Sequence, residues 1–258
     1  MSRVISVVNQ KGGVGKTTTA INLGAYLASL GKFVLLIDLD PQANATSSLG
    51  HPPHDIETSV YHGMIAGASL RAMVRPTAHA GYKLIPANAD LAGARVELVD
   101  LENREHKLRD AMLEVRNDYD YIIIDCPPSL DVLTLNGLVA ADDLLIPVQA
   151  EYLALEGLSQ LLSTIQIVQE NIKPDLKVMG AVVTMYDKRN KLSDQVVQEL
   201  RQHFPHKVFD AMVPRNVRLT EAPSYGKSIL GYDNRSTGAL AYEQLAREVI
   251  AHDFATHT

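Results

Sequence analysis

A short apolar run, Val4 to Val8, enters the stretch NQKGGVGKTT, after which Ala20, Leu23, Leu27 and Leu30 recur on one helical stripe. Strand, glycine loop and helix in that order constrain the fold more than any other feature of the chain. A helix that leaves its strand through so short a turn packs back across it, the first half of a parallel strand–helix–strand unit. The loop fits G-x-x-x-x-G-K-[ST] at Gly15, Lys16 and Thr17, with Gln10 in place of the first glycine. Gly12, Gly13 and Gly15, with Val14 among them, let backbone N–H groups approach a phosphate without Cβ obstruction. The helix N-terminus at Lys16, Thr17 and Thr18 adds its positive dipole end. Lys16 is then placed to reach β- and γ-phosphates, and the Thr17 hydroxyl to ligate Mg²⁺. The competing reading is a glycine turn with incidental lysines, and the strand–loop–helix order argues against it.

Further apolar runs fall at Phe33 to Asp38, Tyr82 to Pro86, Tyr121 to Asp125, Leu144 to Val148 and Val178 to Met185. They alternate with longer periodic segments, so the expected fold is α/β: a mainly parallel twisted sheet with helices on both faces. Gly31 is placed to stop the first helix. Leu91 to Val115 reads as one long helix and Ala154 to Asn171 as another. Ser193 is expected to cap a helix running to about His203, and the last helix to span Gly238 to Ala251, followed by a frayed end. Residues 41 to 81, rich in His, Pro and Gly, show no regular period. The 258 residues, 46% of them hydrophobic, suit one domain over 1–258. Three residues precede the first strand, which leaves no room for a base-reading N-terminal helix-turn-helix.

Two acidic strand ends support the nucleotide assignment. YIIID ends at Asp125, where a carboxylate holds the metal through water beside Thr17. Asp38 and Asp40 end a neighbouring strand, and ligands of open parallel sheets gather at such carboxyl ends. Asp40 is thereby a candidate for orienting an attacking water and for metal contact through water. Each Asp alone could be a turn former; three together are specific. Lys11 opens the loop, so its side chain should leave the phosphate nest. It is either a solvated lysine or a cation reaching a neighbour's nucleotide, as an arginine finger does. Such a finger is worth about 10³ to 10⁵ in rate, or roughly 4 to 7 kcal/mol of barrier.

Charge and cysteine usage narrow the class. Net charge is -6, yet between Lys173 and Arg235 there are 11 Lys and Arg against 7 Asp and Glu, and elsewhere 13 against 23. Within the basic segment, DKRNK (187–191), Arg215, Arg218, Lys227 and Arg235 cluster as a candidate phosphate-tracking patch, the alternative being a solvated loop face. The single Cys126 permits no intrachain disulfide and suits a reducing cytoplasm. No run reaches the roughly 18 apolar residues of a membrane span.

KGGVGKTT resembles the deviant Walker A motif of the ParA/MinD group, with Lys11 as its signature lysine. LIDLDPQAN resembles the group's second motif and IIIDCPPS its Walker B. PVQAEYLALEGLSQLL (147–162) and VPRNVRLTEAPSYGKSI (213–229) extend the likeness to ParA/Soj partition ATPases over most of the chain. The resemblance implies a P-loop ATPase using ATP and Mg²⁺, weak alone and stimulated by a ParB-like centromere-binding partner. It implies an ATP-bound homodimer in which Lys11 meets the partner's phosphates, Asp40 supports hydrolysis, and Pro214, Arg215 and Asn216 surround the adenine. Arg189 and Arg218, with Lys188 and Lys227, would hold non-specific double-stranded DNA, making the protein cytoplasmic and nucleoid-associated. A MinD-like membrane ATPase is one rival, but the tail EQLAREVIAHDFATHT sets Glu243, Glu248 and Asp253 against Arg247 and lacks a basic anchor. A nitrogenase-type reductase needs more than one cysteine, and Cys126 reads as a small core residue. A metabolic synthetase and a cargo-positioning relative of ParA stay open.

Overall fold

The computed structural model describes residues 2–152 and 154–256. The strands are β1 Arg3–Val7, β2 Val34–Asp38, β3 Arg75–Pro76, β4 Tyr82–Ile85, β5 Tyr121–Asp125, β6 Asp143–Gln149, β7 Lys177–Tyr186 and β8 Val208–Pro214. The helices are α1 Lys16–Ser29, α2 Asn44–Ser48, α3 Val60–Ile65, α4 Leu70–Met73, α5 Leu91–Glu97 and α6 Lys107–Met112. They continue with α7 Val132–Ala140, α8 Ala154–Asn171, α9 Lys191–His203, α10 Val217–Glu221, α11 Ile229–Tyr232 and α12 Thr237–Thr256. One eight-stranded sheet runs in the order β3-β4-β2-β5-β1-β6-β7-β8. All its pairings are parallel except β3 with β4.

Central strands are buried along their whole length because helices cover both faces. Successive side chains alternate between two cores, as a pleat requires. Val4, Leu35, Ile37, Ile122 and Ile124 face the helices α3 to α9. Ile5, Val34, Leu36 and Ile123 face α1, α2 and α10 to α12. Cys126 is buried in the first core, as a small packing residue. A Cβ added to Gly137 of α7 would lie 2.5 Å from its Sγ, so α7 rides directly on the end of β5. Gly31 ends α1 with φ +84, and the amides of Gly31 and Lys32 close back onto the carbonyls of Ala28 and Leu27.

Three elements differ from their expected form. The helix expected over Leu91 to Val115 is broken into α5, two 3₁₀ turns (Leu98–Asp100 and Arg104–His106) and α6. Asn103 is left-handed at φ 52, and Asn136 of α7 holds the break by donating to the Arg104 carbonyl at 2.8 Å and accepting from the Leu108 amide at 3.0 Å. Val99 and Leu101 are accordingly exposed. The N-cap of α9 is Asn190, which accepts from the Leu192 amide at 3.0 Å; Ser193 lies inside the first turn. The last helix continues to Thr256, past Ala251, so no fraying begins there, and the remaining tail residues lie outside the described ones. Strands β3 and β8 and helix α7 carry no expectation from the sequence. The region 41–81 resolves into short helices and the edge strand β3. Among the described residues no helix is long and apolar enough to cross a membrane.

Candidate nucleotide site and cationic face

Gly13 and Gly15 adopt φ +75 and +90, a left-handed backbone that a β-carbon penalises. Gly15 is the N-cap of α1, and among the described residues no side chain caps the helix, so its first N–H groups face the loop interior. The Thr184 hydroxyl donates to the Val14 carbonyl at 2.8 Å, fastening the loop to β7. Lys16 is 7% exposed and donates from Nζ to the Lys11 carbonyl at 3.1 Å. Burial lowers its pKa, against the opposing pull of Asp125 and Asp40.

Register brings the carboxylates together. Asp38 and Asp125 are paired on adjacent strands, and Asp125 lies beside Val7 at the mouth of the loop. Asp38 accepts from the Thr46 amide at 2.8 Å, the Thr46 hydroxyl at 2.7 Å and the Asp40 amide at 3.2 Å. Even so, burial pushes it up to about 6. Both oxygens of Asp125 are buried without a well-formed hydrogen bond among the described residues. Burial, with Asp38 and Asp40 adding to it, raises its pKa well above the usual range, while the Thr17 hydroxyl and Lys16 favour its charged form. Unsatisfied buried carboxylate oxygens beside a threonine hydroxyl are a donor set for a hard, oxygen-ligated dication such as Mg²⁺.

Around these groups lies a cavity of about 340 Å³ that brings together Gly12, Gly13, Gly15, Lys16, Thr17, Thr18 and Asp40. Asn44, Ser48, Pro128 and Met185 complete its wall. A second cavity of about 500 Å³ adjoins it through Gly15, Thr18 and Met185 and is lined by Pro214, Arg215 and Asn216. Asn216 is committed locally: it caps α10 by accepting from the Arg218 amide at 2.8 Å and donates to Thr237 at 2.9 Å. Its side chain therefore keeps only one lone pair and one N–H for any ligand. Met185, shared by both cavities, stands at φ 51, a strained position of the kind that clusters at functional sites. No sequence pattern pointed to it.

Lys11 does leave the nest. Its ammonium stands 3.7 Å from the Glu151 carboxylate, which Arg215 also approaches at 3.8 Å. Glu151, Asn44, Ser48 and Met185 are the residues that the sequence reading missed. Asn44 and Glu151 sit within quoted motifs, and position in a motif was the only available signal.

The cations fall beyond the carboxyl ends of the adjacent strands β7 and β8, Arg189 on the turn before α9 and Arg218 in α10. Arg189 is gripped two-pronged by Asp187 at 2.9 and 2.8 Å. Arg218 pairs with Glu221 at 2.9 Å and Asp233 at 3.6 Å. Lys188 shares the turn of Arg189, and Lys227 lies between the 3₁₀ turn Ala222–Tyr225 and α11.

A family model described as an AAA domain matches residues 2–178. The sporulation initiation inhibitor protein Soj of Bacillus subtilis is 52% identical over 98% of this chain and 100% of its own. The chromosome partitioning protein ParA of Myxococcus xanthus is 51% identical over 98% of this chain and 89% of its own. Among solved structures, the cobyrinic acid a,c-diamide synthase of Mycobacterium smegmatis with bound ADP and magnesium superposes with TM-score 0.89. It is 41% identical and covers 100% of this chain and 97% of its own.

Proposed function

Since the chain belongs to the Soj/ParA family of chromosome-partitioning P-loop ATPases, we propose that it is an ATP-driven DNA-partition switch whose nucleotide site is the pair of adjoining cavities. The carrying observation is Asp125: two buried oxygens, without a well-formed hydrogen bond among the described residues, beside Thr17 and Lys16 at the end of β5. Bound Mg²⁺ supplies charge neutralisation to the β- and γ-phosphates; Thr17 would hold it directly, and Asp125 and Asp40 through water. Gly12 to Thr18 bind phosphate through the backbone, with Lys16 as the point charge. Asp40 orients the attacking water. Pro214, Arg215 and Asn216 enclose the adenine, with Met185 closing the passage between base and phosphates.

Lys11, set outside the nest, stabilises the transition state in a second copy, so that ATP occupancy and pairing become one event. The paired molecule presents Lys188, Arg189, Arg218 and Lys227 twice to DNA phosphates, without reading bases. A ParB-like partner stimulates hydrolysis and releases the DNA, which makes the protein nucleoid-associated and not membrane-bound. The Asp40→Ala variant tests the assignment: it should bind ATP with unchanged affinity while hydrolysis falls by about 10² or more. Hydrolysis at the wild-type rate would remove the role of Asp40.

The synthase likeness supports a second reading, in which ATP activates a carboxylate. A synthase consumes ATP only when cobyrinic acid is present, whereas a partition ATPase hydrolyses without it. Identity is higher to Soj than to the synthase, which favours the partition reading.

A further inference from the structure

Strand β1 hands the chain to the phosphate loop at Asn9. In a parallel pair every second amide of one strand donates to its neighbour. The Val8 amide donates to the Leu145 carbonyl of β6 at 3.1 Å, so the Gln10 amide would be the donor to the next carbonyl, that of Pro147. The Asn9 side chain takes its place, donating from Nδ2 to the Pro147 carbonyl at 2.7 Å. The backbone can therefore leave the sheet at residue 10 without stranding a buried acceptor.

The other end of the same carboxamide faces the loop. Asn9 Oδ1 accepts from the Lys11 amide at 3.0 Å, an Asx turn in which the side chain bonds the backbone two residues on. Asn9 is 6% exposed, so this side chain is fixed at both ends and closed off from water. The Lys11 carbonyl is held separately, by Lys16 Nζ at 3.1 Å. Among the described residues these two bonds are the whole hydrogen-bonded support of the Lys11 backbone. Glu151 reaches only the tip of the Lys11 side chain, through an exposed ion pair of a kind that adds little rigidity. Once Lys16 turns to the β- and γ-phosphates, Asn9 is the support that stays.

We infer that Asn9 is a positioning residue for the reaction: it fixes the Lys11 peptide against β6 and so sets the direction in which the Lys11 side chain leaves the nest. The inference rests on the reading that Lys11 acts on a second copy's nucleotide. Asn9 lines neither the phosphate cavity nor the adjoining one, and it acts through Lys11 alone. A reacting group displaced by about 1 Å can lose about 10² in rate. The effect of Asn9 is therefore read in turnover, while the glycine loop and Lys16 keep their hold on ATP.

The variants Asn9→Ala and Asn9→Ser separate the two bonds. Both side chains are too short to reach Pro147, but a Ser hydroxyl still accepts from the amide two residues on, and Ala cannot. Hydrolysis at saturating ATP, affinity for a fluorescent ATP and thermal melting are measured on the full chain, beside Lys11→Ala and Asn9→Ala/Lys11→Ala. Turnover of Asn9→Ala should fall by about tenfold or more, with ATP affinity within about threefold of wild type. Asn9→Ser should recover most of the turnover while melting as low as Asn9→Ala. The double variant should be no slower than Lys11→Ala, as residues acting through one group require. Wild-type turnover in Asn9→Ala, or an Asn9→Ser no faster than Asn9→Ala, overturns the role. So does an ATP affinity that falls in step with turnover, since Asn9 then merely builds the phosphate loop. A double variant slower than Lys11→Ala by the full Asn9→Ala factor overturns it as well. Wild-type turnover in Lys11→Ala instead removes the reading of Lys11 beneath.

Discussion

Replacing Asp125 with Asn removes a fully buried charge whose two oxygens lack a well-formed hydrogen bond among the described residues. Asp38, with three hydrogen bonds, is still pushed from 3.8 to about 6 by burial, which at 1.36 kcal/mol per pKa unit is about 3 kcal/mol of disfavoured charge near neutral pH. Asp125 has no well-formed hydrogen bond among the described residues and is raised in the same direction. A carboxyl whose folded pKa is raised stabilises the fold below its unfolded pKa, and that stability is lost as pH rises toward the folded value. The neutral amide of the variant escapes the loss but is itself buried and imperfectly bonded, a cost of about 1–2 kcal/mol. The net gain for Asp125→Asn is about 1–2 kcal/mol at pH 7.5 without metal or nucleotide. That raises Tm by about 2–8 °C in a chain of this size. The gain should vanish below pH 4, where the wild-type carboxyl is neutral, and Mg²⁺-dependent hydrolysis should fall by about 10² or more. The assay is thermal melting in chelator across pH, with hydrolysis measured alongside. A lower Tm than wild type at pH 7.5, or an equal gain at pH 3.5, would refute the reasoning.

Other expected outcomes are independent of that one. Gly137→Ala drives a Cβ to 2.5 Å from the Cys126 Sγ and should cost about 1–3 kcal/mol by overpacking, seen in denaturant melts; Gly137→Ala/Cys126→Ala should recover most of it. The double variant Arg189→Ala/Arg218→Ala should lower DNA affinity equally for unrelated sequences and reduce the salt slope by about one per lost phosphate contact. A slope unchanged from wild type would place the phosphate contacts elsewhere.

The phosphate loop was legible because its residues are consecutive and their spacing carries the chemistry. Asp125 and Asp40 were legible for a related reason: a strand ending in Asp is a local pattern, and parallel order places such ends together. Glu151 and Met185 were not, since the paths of β6 and β7 bring them to the site from distant positions, and Ser48, at the end of the short helix α2 after β2, belongs to no spacing that marks a ligand. The broken helix at Asn103 was missed because Asn136, far along the chain, supplies the bonds that make the break cheap. Helix α7 leaves no periodic signal in the sequence because it is apolar almost all round, and burial on every side erases the amphipathic period. Asn216 differs again: only the family resemblance points to it, and its bonds to Arg218 and Thr237 show half of its hydrogen-bonding capacity already used.

The central claim is that one cation, held outside its own nest by Glu151, belongs to a second copy's triphosphate. Sedimentation velocity of wild type and Lys11→Ala, each saturated with a non-hydrolysable ATP analogue and Mg²⁺, tests it most directly. The account predicts a dimer for wild type and a monomer for Lys11→Ala, with nucleotide bound in both. A wild type that sediments as a monomer, or a Lys11→Ala chain that dimerises as well as wild type, would contradict it.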